Sequence, residues 1–170
     1  MALTKINNNT LSAVSELPSG ISGQNYPAFF AELSADQTSP ASFVIGKVQI
    51  NSEIFDTDSC YDPTTNYRFT PNAAGKYFVY GMVSCDTGGN SRLEGASAHI
   101  YKNGSKILAS DMNFNDNEGR FVTVLIHGAV DMNGSTDYLE LYGLIGYNLG
   151  TSVFDGGNKR TNFGAYRIGD

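Results

Sequence analysis

Oxygen-bearing side chains are densest in Asp111-Met112-Asn113-Phe114-Asn115-Asp116-Asn117-Glu118. Calcium takes several oxygen ligands in flexible geometry, so Asp111, Asn113, Asn115, Asp116 and Glu118 form a candidate calcium loop. It is not an EF-hand. Asp116 stands at the sixth position, where the sharp turn needs Gly, and Val122 stands at the twelfth, where the bidentate Glu belongs. Asp56, Asp58 and Asp62 make a second acidic stretch of the same kind. The competing reading of both is a solvated, turn-rich loop, and no other cofactor is indicated.

Groups for covalent or acid–base chemistry are sparse. His99 lies between Ala98 and Ile100, and His127 ends the apolar run Val124-Leu125-Ile126. Neither neighbours a Ser or Cys nucleophile, so both are read as satisfied structural histidines. No His-x-x-x-His or Cys-x-x-Cys spacing offers zinc a ligand set, and no Gly-x-Ser-x-Gly elbow or phosphate-cradling glycine loop occurs. The sequence predicts no catalytic residue and no enzyme. Cys60 and Cys85 could meet if the loop before Phe69 folds back beside the end of the next strand; reduced, structural thiols are expected. Tyr147 in Gly146-Tyr147-Asn148 and Phe154 in Val153-Phe154-Asp155-Gly156-Gly157 are candidate receptor-contact aromatics in loops. The competing reading is capping of the sandwich end.

The elements that must position these groups are strands. A short strand ends at Phe69, a Pro71-Asn72 turn follows, and Gly75 opens a longer apolar strand through Val83. Alternation sends Tyr77, Val79 and Val83 to one face and Phe78, Tyr80 and Met82 to the other. A sandwich strand normally covers the core on one side and meets water on the other. Here both sides are apolar, so a second copy of the chain is expected to cover the outer one. Further strands are read over residues 43–50, 96–101, 121–130, 138–145 and 162–168. Asn103-Gly104 is a hairpin turn and Asp131-Met132-Asn133-Gly134 another turn. About ten short strands without a helix predict an all-β sandwich of jelly-roll type.

Composition agrees with one such domain. The 170 residues suffice for a single sizeable core. Seventeen acidic against eleven basic residues leave a net charge of −6, with Lys159-Arg160 the only basic pair, so nucleic-acid binding is not expected. No run of eighteen apolar residues exists, and no membrane insertion by a helix is expected. The opening residues lack the apolar run and cleavage site of a signal peptide, which implies no export by that route. Residues 1–26 differ from the rest: an Asn/Ser-rich stretch whose sparse apolar residues Ile6, Leu11, Val14 and Leu17 cannot form a core alone. They are read as an N-terminal docking arm ahead of a globular domain over 27–170.

Within that domain, Phe69, five residues, Gly75, one residue and Tyr77 resemble the aromatic signature of the complement globular-head family, which shares the tumour necrosis factor jelly roll. Asp56, four residues and Tyr61 fit the same signature, and Tyr61-Asp62-Pro63-Thr64-Thr65 resembles the loop before that strand. Pro27-Ala28-Phe29-Phe30-Ala31 resembles the first strand, Tyr101-Lys102-Asn103-Gly104 the central hairpin, and Phe163-Gly164-Ala165-Tyr166 the closing strand. Ile50, Val79 and Gly81 depart from it by standing where the signature has aromatics, and the interval from Tyr61 to Phe69 is one residue too long. The resemblance implies a trimer, with Phe69, Tyr77, Phe78, Tyr80, Tyr138, Tyr142, Phe163 and Tyr166 as core or trimer-interface aromatics. It also implies calcium near the trimer top. The opening Met1-Ala2-Leu3-Thr4-Lys5-Ile6 resembles the N-termini of bacteriophage tail-fibre and virion accessory proteins. Together these imply a non-enzymatic virion surface knob, a homotrimer tethered to capsid or tail through residues 1–26. Such a knob would decorate the particle or recognise a host-surface glycan or protein. The alternative is a soluble recognition or signalling ligand, which would need export and usually a collagen-like or coiled-coil stalk. Neither Gly-X-Y repeats nor heptads occur.

Overall fold

The period-two burial of the long strands fixes the architecture. In a computed structural model, describing residues 25–114 and 116–169, no helix occurs among the described residues and two antiparallel sheets enclose one core. The strands are β1 (Ala28–Glu32), β2 (Gln37–Thr38), β3 (Gly46–Lys47), β4 (Ser52–Asp56), β5 (Tyr61–Asp62), β6 (Arg68–Phe69) and β7 (Ala74–Asp86). They continue with β8 (Leu93–Lys102), β9 (Ser105–Asn113), β10 (Phe121–Asn133), β11 (Leu139–Tyr147), β12 (Val153–Phe154) and β13 (Asn162–Gly169). The first sheet runs β10-β7-β13-β1-β4, with β12 and β2 added beyond the end of β13. The second runs β5-β6-β11-β8-β9, with β3 also beside β11.

Ten strands were expected, and thirteen segments are found among the described residues. Five of them (β2, β3, β5, β6 and β12) are two-residue pairings, too short to leave a periodic signal. The expected strand over residues 43–50 shrinks to Gly46–Lys47. Val48 and Ile50 are buried, but Val44 is exposed, because Phe43 adopts φ 60° and the Val44 amide donates to the Ala41 carbonyl in a turn. The Asn103-Gly104 hairpin joins β8 to β9, both residues at positive φ.

Tyr77, Val79 and Val83 do face the core, with Val124 and Ile126 of β10 beside them and Leu139, Leu141 and Ile145 of β11 opposite. At one end Phe29 stacks on Tyr61 (4.5 Å between ring centroids) and Phe69 (4.6 Å), and meets Phe163 edge-on. Such ring contacts add about 0.5–1.5 kcal/mol each beyond area burial. The buried phenols are satisfied: Tyr61 Oη donates to the Ile50 carbonyl and Tyr77 Oη to the Ala73 carbonyl. Cys60 and Cys85 are both buried free thiols, and burial pushes the Cys85 thiol up to about 12.

Candidate functional site

The residues left over by core packing on β7 and β13 make the site. On the outer face of the first sheet, Phe55, Phe30, Gly164, Tyr80 and His127 lie side by side on consecutive strands β4, β1, β13, β7 and β10. The next row is Ala28, Tyr166, Phe78 and Ala129. Neither row contains Asp, Glu, Lys or Arg. The row on the other side ends in Met82 and Leu125, and Leu125 is 60% exposed.

Gly164 shapes this face. A Cβ there would sit 2.4 Å from the Tyr80 ring, so only glycine lets Tyr80 lie flat across β13 toward Phe30. The rings then form a continuous path. Phe30 lies 6.4 Å from Phe55 and 6.2 Å from Tyr80, and Phe78 lies 6.2 Å from Tyr80, 5.6 Å from Tyr166 and 5.9 Å from His127. Between them runs a trough of about 460 Å³. Burial, with a smaller contribution from Tyr166, raises the Tyr80 phenol, which stays protonated as a donor. Charges sit at the rim, where Lys76 approaches Asp131 at 3.8 Å and Arg120 Nε donates to Asp86.

The expected core or interface aromatics divide between locations. Phe69, Tyr77 and Phe163 are fully buried in the core. Phe78, Tyr80 and Tyr166 share the outer face just described, whereas Tyr138 and Tyr142 are half-buried on the second sheet. There Arg68 lies over the Tyr138 ring, and Tyr142 packs 4.1 Å from Tyr101. Phe30, Phe55, Leu125 and His127 were missed as members of the face. The alternation of Leu125 and His127 against Val124 and Ile126 was the available signal.

Several other expectations change. Phe154 is no exposed loop aromatic: β12 pairs with both β2 and β7, and the ring is fully buried over Gly143, where a Cβ would approach it to 2.7 Å. Tyr147 closes β11 half-buried against the core, with its backbone held by Ser42. His127 is exposed rather than structural. His99 is buried, yet its Nδ1 has no hydrogen-bond partner.

Asp111 and Asn113, expected in a loop, lie on edge strand β9, because the hairpin continues its pairing with β8 to Gly95. Asp116 and Glu118 follow in the loop proper, and Asn115 lies outside the described residues. Among the described residues no three His, Cys, Asp or Glu side chains gather as a metal cluster. In the second acidic stretch, Asp62 accepts the Thr64, Thr65 and Asn66 amides, bonds that hold its carboxyl well below the usual range. Ile6, Leu11, Val14 and Leu17, with nearly all of the expected arm, also lie outside the described residues.

No family model matches the chain, and no curated protein matches it. Solved structures do. The globular domain of zebrafish complement 1qA protein is similar over 84% of this chain and 97% of its own, with TM-score 0.57 and 14% identity. Murine APRIL, determined at pH 5.0, is similar over 83% and 98%, with TM-score 0.56 and 9% identity. At this identity the likeness is one of fold: a jelly roll shared with the complement globular heads and tumour necrosis factor ligands.

Proposed function

We propose that the chain is a non-enzymatic recognition and assembly knob whose outer sheet face closes a homotrimer. The observation that carries this is the double row of Phe55, Phe30, Gly164, Tyr80, His127, Tyr166 and Phe78, free of Asp, Glu, Lys and Arg, with such residues only toward its edges. A contiguous aromatic face of this kind costs solubility unless covered, and a cyclic assembly of identical chains covers every copy at once. Depletion of charge at the centre with a polar rim is the composition of a protein interface.

Within this reading the knob sits on a virion surface, joined to capsid or tail through residues 1–26. It decorates the particle or engages a host-surface glycan or protein. The likeness of the opening residues to phage virion proteins and the arm-like composition of that segment support this placement. Deleting residues 1–26 leaves a soluble trimer that no longer joins particles; retained incorporation would defeat it. A second reading, a soluble globular-head-type ligand, is favoured by the similarity to complement 1qA and APRIL. Binding of the isolated knob to a cell or glycan array in the absence of particles separates ligand from decoration. Calcium at Asp111, Asn113, Asn115, Asp116 and Glu118 remains part of the proposal and is tested by calcium-dependent melting.

A further inference from the structure

A second concave surface lies on the opposite side of the molecule, on the outer face of the second sheet. Residues 39–45 form a strap along β11 beyond its pairing with β3, pinned by the Phe43 amide donating to the Ile145 carbonyl and by Ser42 bonding the Tyr147 backbone in both directions. The left-handed backbone of Phe43 turns its ring inward over Gly146 and Gly95, where a Cβ would sit 2.3 Å and 3.4 Å from the ring. The floor is therefore low. Gly146, Gly95 and Asn113 share one row across β11, β8 and β9, Leu144, Ser97 and Asp111 the next, and Tyr142, His99 and Ala109 the third. The result is a groove of about 350 Å³, with Phe43 and Ile45 on one bank and Asp111 and Asn113 on the other. That volume lies at the small end of the ~300–1,000 Å³ typical of small-molecule sites.

The chemistry of the groove is specific. His99 is 2% exposed, its Nδ1 has no partner, and its Nε2 stands 3.6 Å from Asp111 Oδ1, longer than a hydrogen bond. A buried polar atom without a partner is rare in folded proteins, and this one belongs to a residue that lines the groove. Glu94, Lys106 and Asp111 all line the groove, so acidic and basic side chains are mixed there and no patch of one sign is presented. Phe43 is 54% exposed and Asp111 mostly so, presenting an apolar ring and a solvent-accessible carboxylate within one groove.

We propose that this groove binds a neutral sugar residue of pyranose type. Its apolar C–H face lies on Phe43 and Ile45, and its hydroxyls pair with Asp111, Ser97 and the His99 floor. As a ligand for a recognition knob the sugar rests on the reading above. The groove, however, is built by one protomer on the side away from the aromatic face, so sugar binding and trimer formation are read separately.

The test is an NMR titration of the full chain with methyl glycosides of neutral hexoses, with glucosamine and N-acetylneuraminic acid as charged comparators. Saturable shifts centred on the His99 and Phe43 rings are expected with neutral glycosides, and affinity falls at least about tenfold in Asp111→Ala and in Phe43→Ala. Asp111 is exposed on an edge strand, so its variant keeps the fold, as a melting curve verifies. No saturable shift through tens of millimolar, equal binding by both variants, or stronger binding of either charged sugar would overturn the inference. Sedimentation of the same samples distinguishes the two readings. A trimer without sugar binding sinks only the groove, and a sugar-binding single protomer sinks only the trimer.

Discussion

Replacing Leu125 by Asp tests the outer face where it is most exposed. Fully burying a leucine is worth about 1.5–3 kcal/mol. Leu125 is 60% exposed in the single chain, so covering it recovers about 1–2 kcal/mol per protomer. Three copies close one trimer, and the substitution therefore removes about 3–6 kcal/mol from assembly, a shift of about 10²–10⁴ in the association constant. Desolvating three carboxylates adds to that loss. The fold of one protomer barely notices, because a substitution at an exposed position changes stability by only about 0.5 kcal/mol. Native mass spectrometry of Leu125→Asp should show single protomers where the parent chain shows trimers, and urea unfolding of the variant should show an intact, cooperative domain. A variant as trimeric as its parent would refute the assignment of this face.

Three further outcomes follow from particular contacts. Gly164→Ala drives a methyl into the Tyr80 ring and should cost about 1–3 kcal/mol, lowering Tm by several degrees and weakening the trimer together; an unchanged Tm would show that Tyr80 does not lie across β13. Phe154→Ala removes a fully buried ring and should cost about 3–5 kcal/mol in chemical denaturation, whereas a loss of receptor binding at unchanged stability would restore Phe154 as a contact residue. The folded-state pKa of His99 lies below its ordinary 6.5, so the unfolded chain binds the proton more readily and stability declines as pH falls below about 6.5. The Asp62 and Asp137 carboxyls, held low by the Thr65 amide and by Lys102, lose their stabilisation only as pH falls below 3.8, leaving the His99 window separate. Chemical denaturation between about pH 7.5 and 5 should show a decline in the parent chain that is reduced in His99→Gln; identical slopes would contradict the burial of a neutral imidazole.

Much of this was legible in the sequence because long strands carry their own period. Tyr77, Val79 and Val83 against Phe78, Tyr80 and Met82 gave the core side and the outer aromatic face, and Asn103-Gly104 marked a hairpin. Phe154 was not legible, since β12 is a two-residue strand flanked by glycines and aspartate that read as a loop; only its pairing with Cys85 and Gln37 buries it. Asp111 and Asn113 misled for the opposite reason. An exposed edge strand has no apolar alternation, so its Asp and Asn read as a turn. The groove under Phe43 was invisible because it depends on one positive φ and on glycines distant in sequence, which no local pattern connects.

Sedimentation velocity of the unaltered chain at micromolar concentration bears on all of this most directly. One species at three times 18.3 kDa is the predicted result. A stable, soluble single protomer would mean that the Phe30, Tyr80 and Phe78 face is content in water, and the trimeric knob would fall with it.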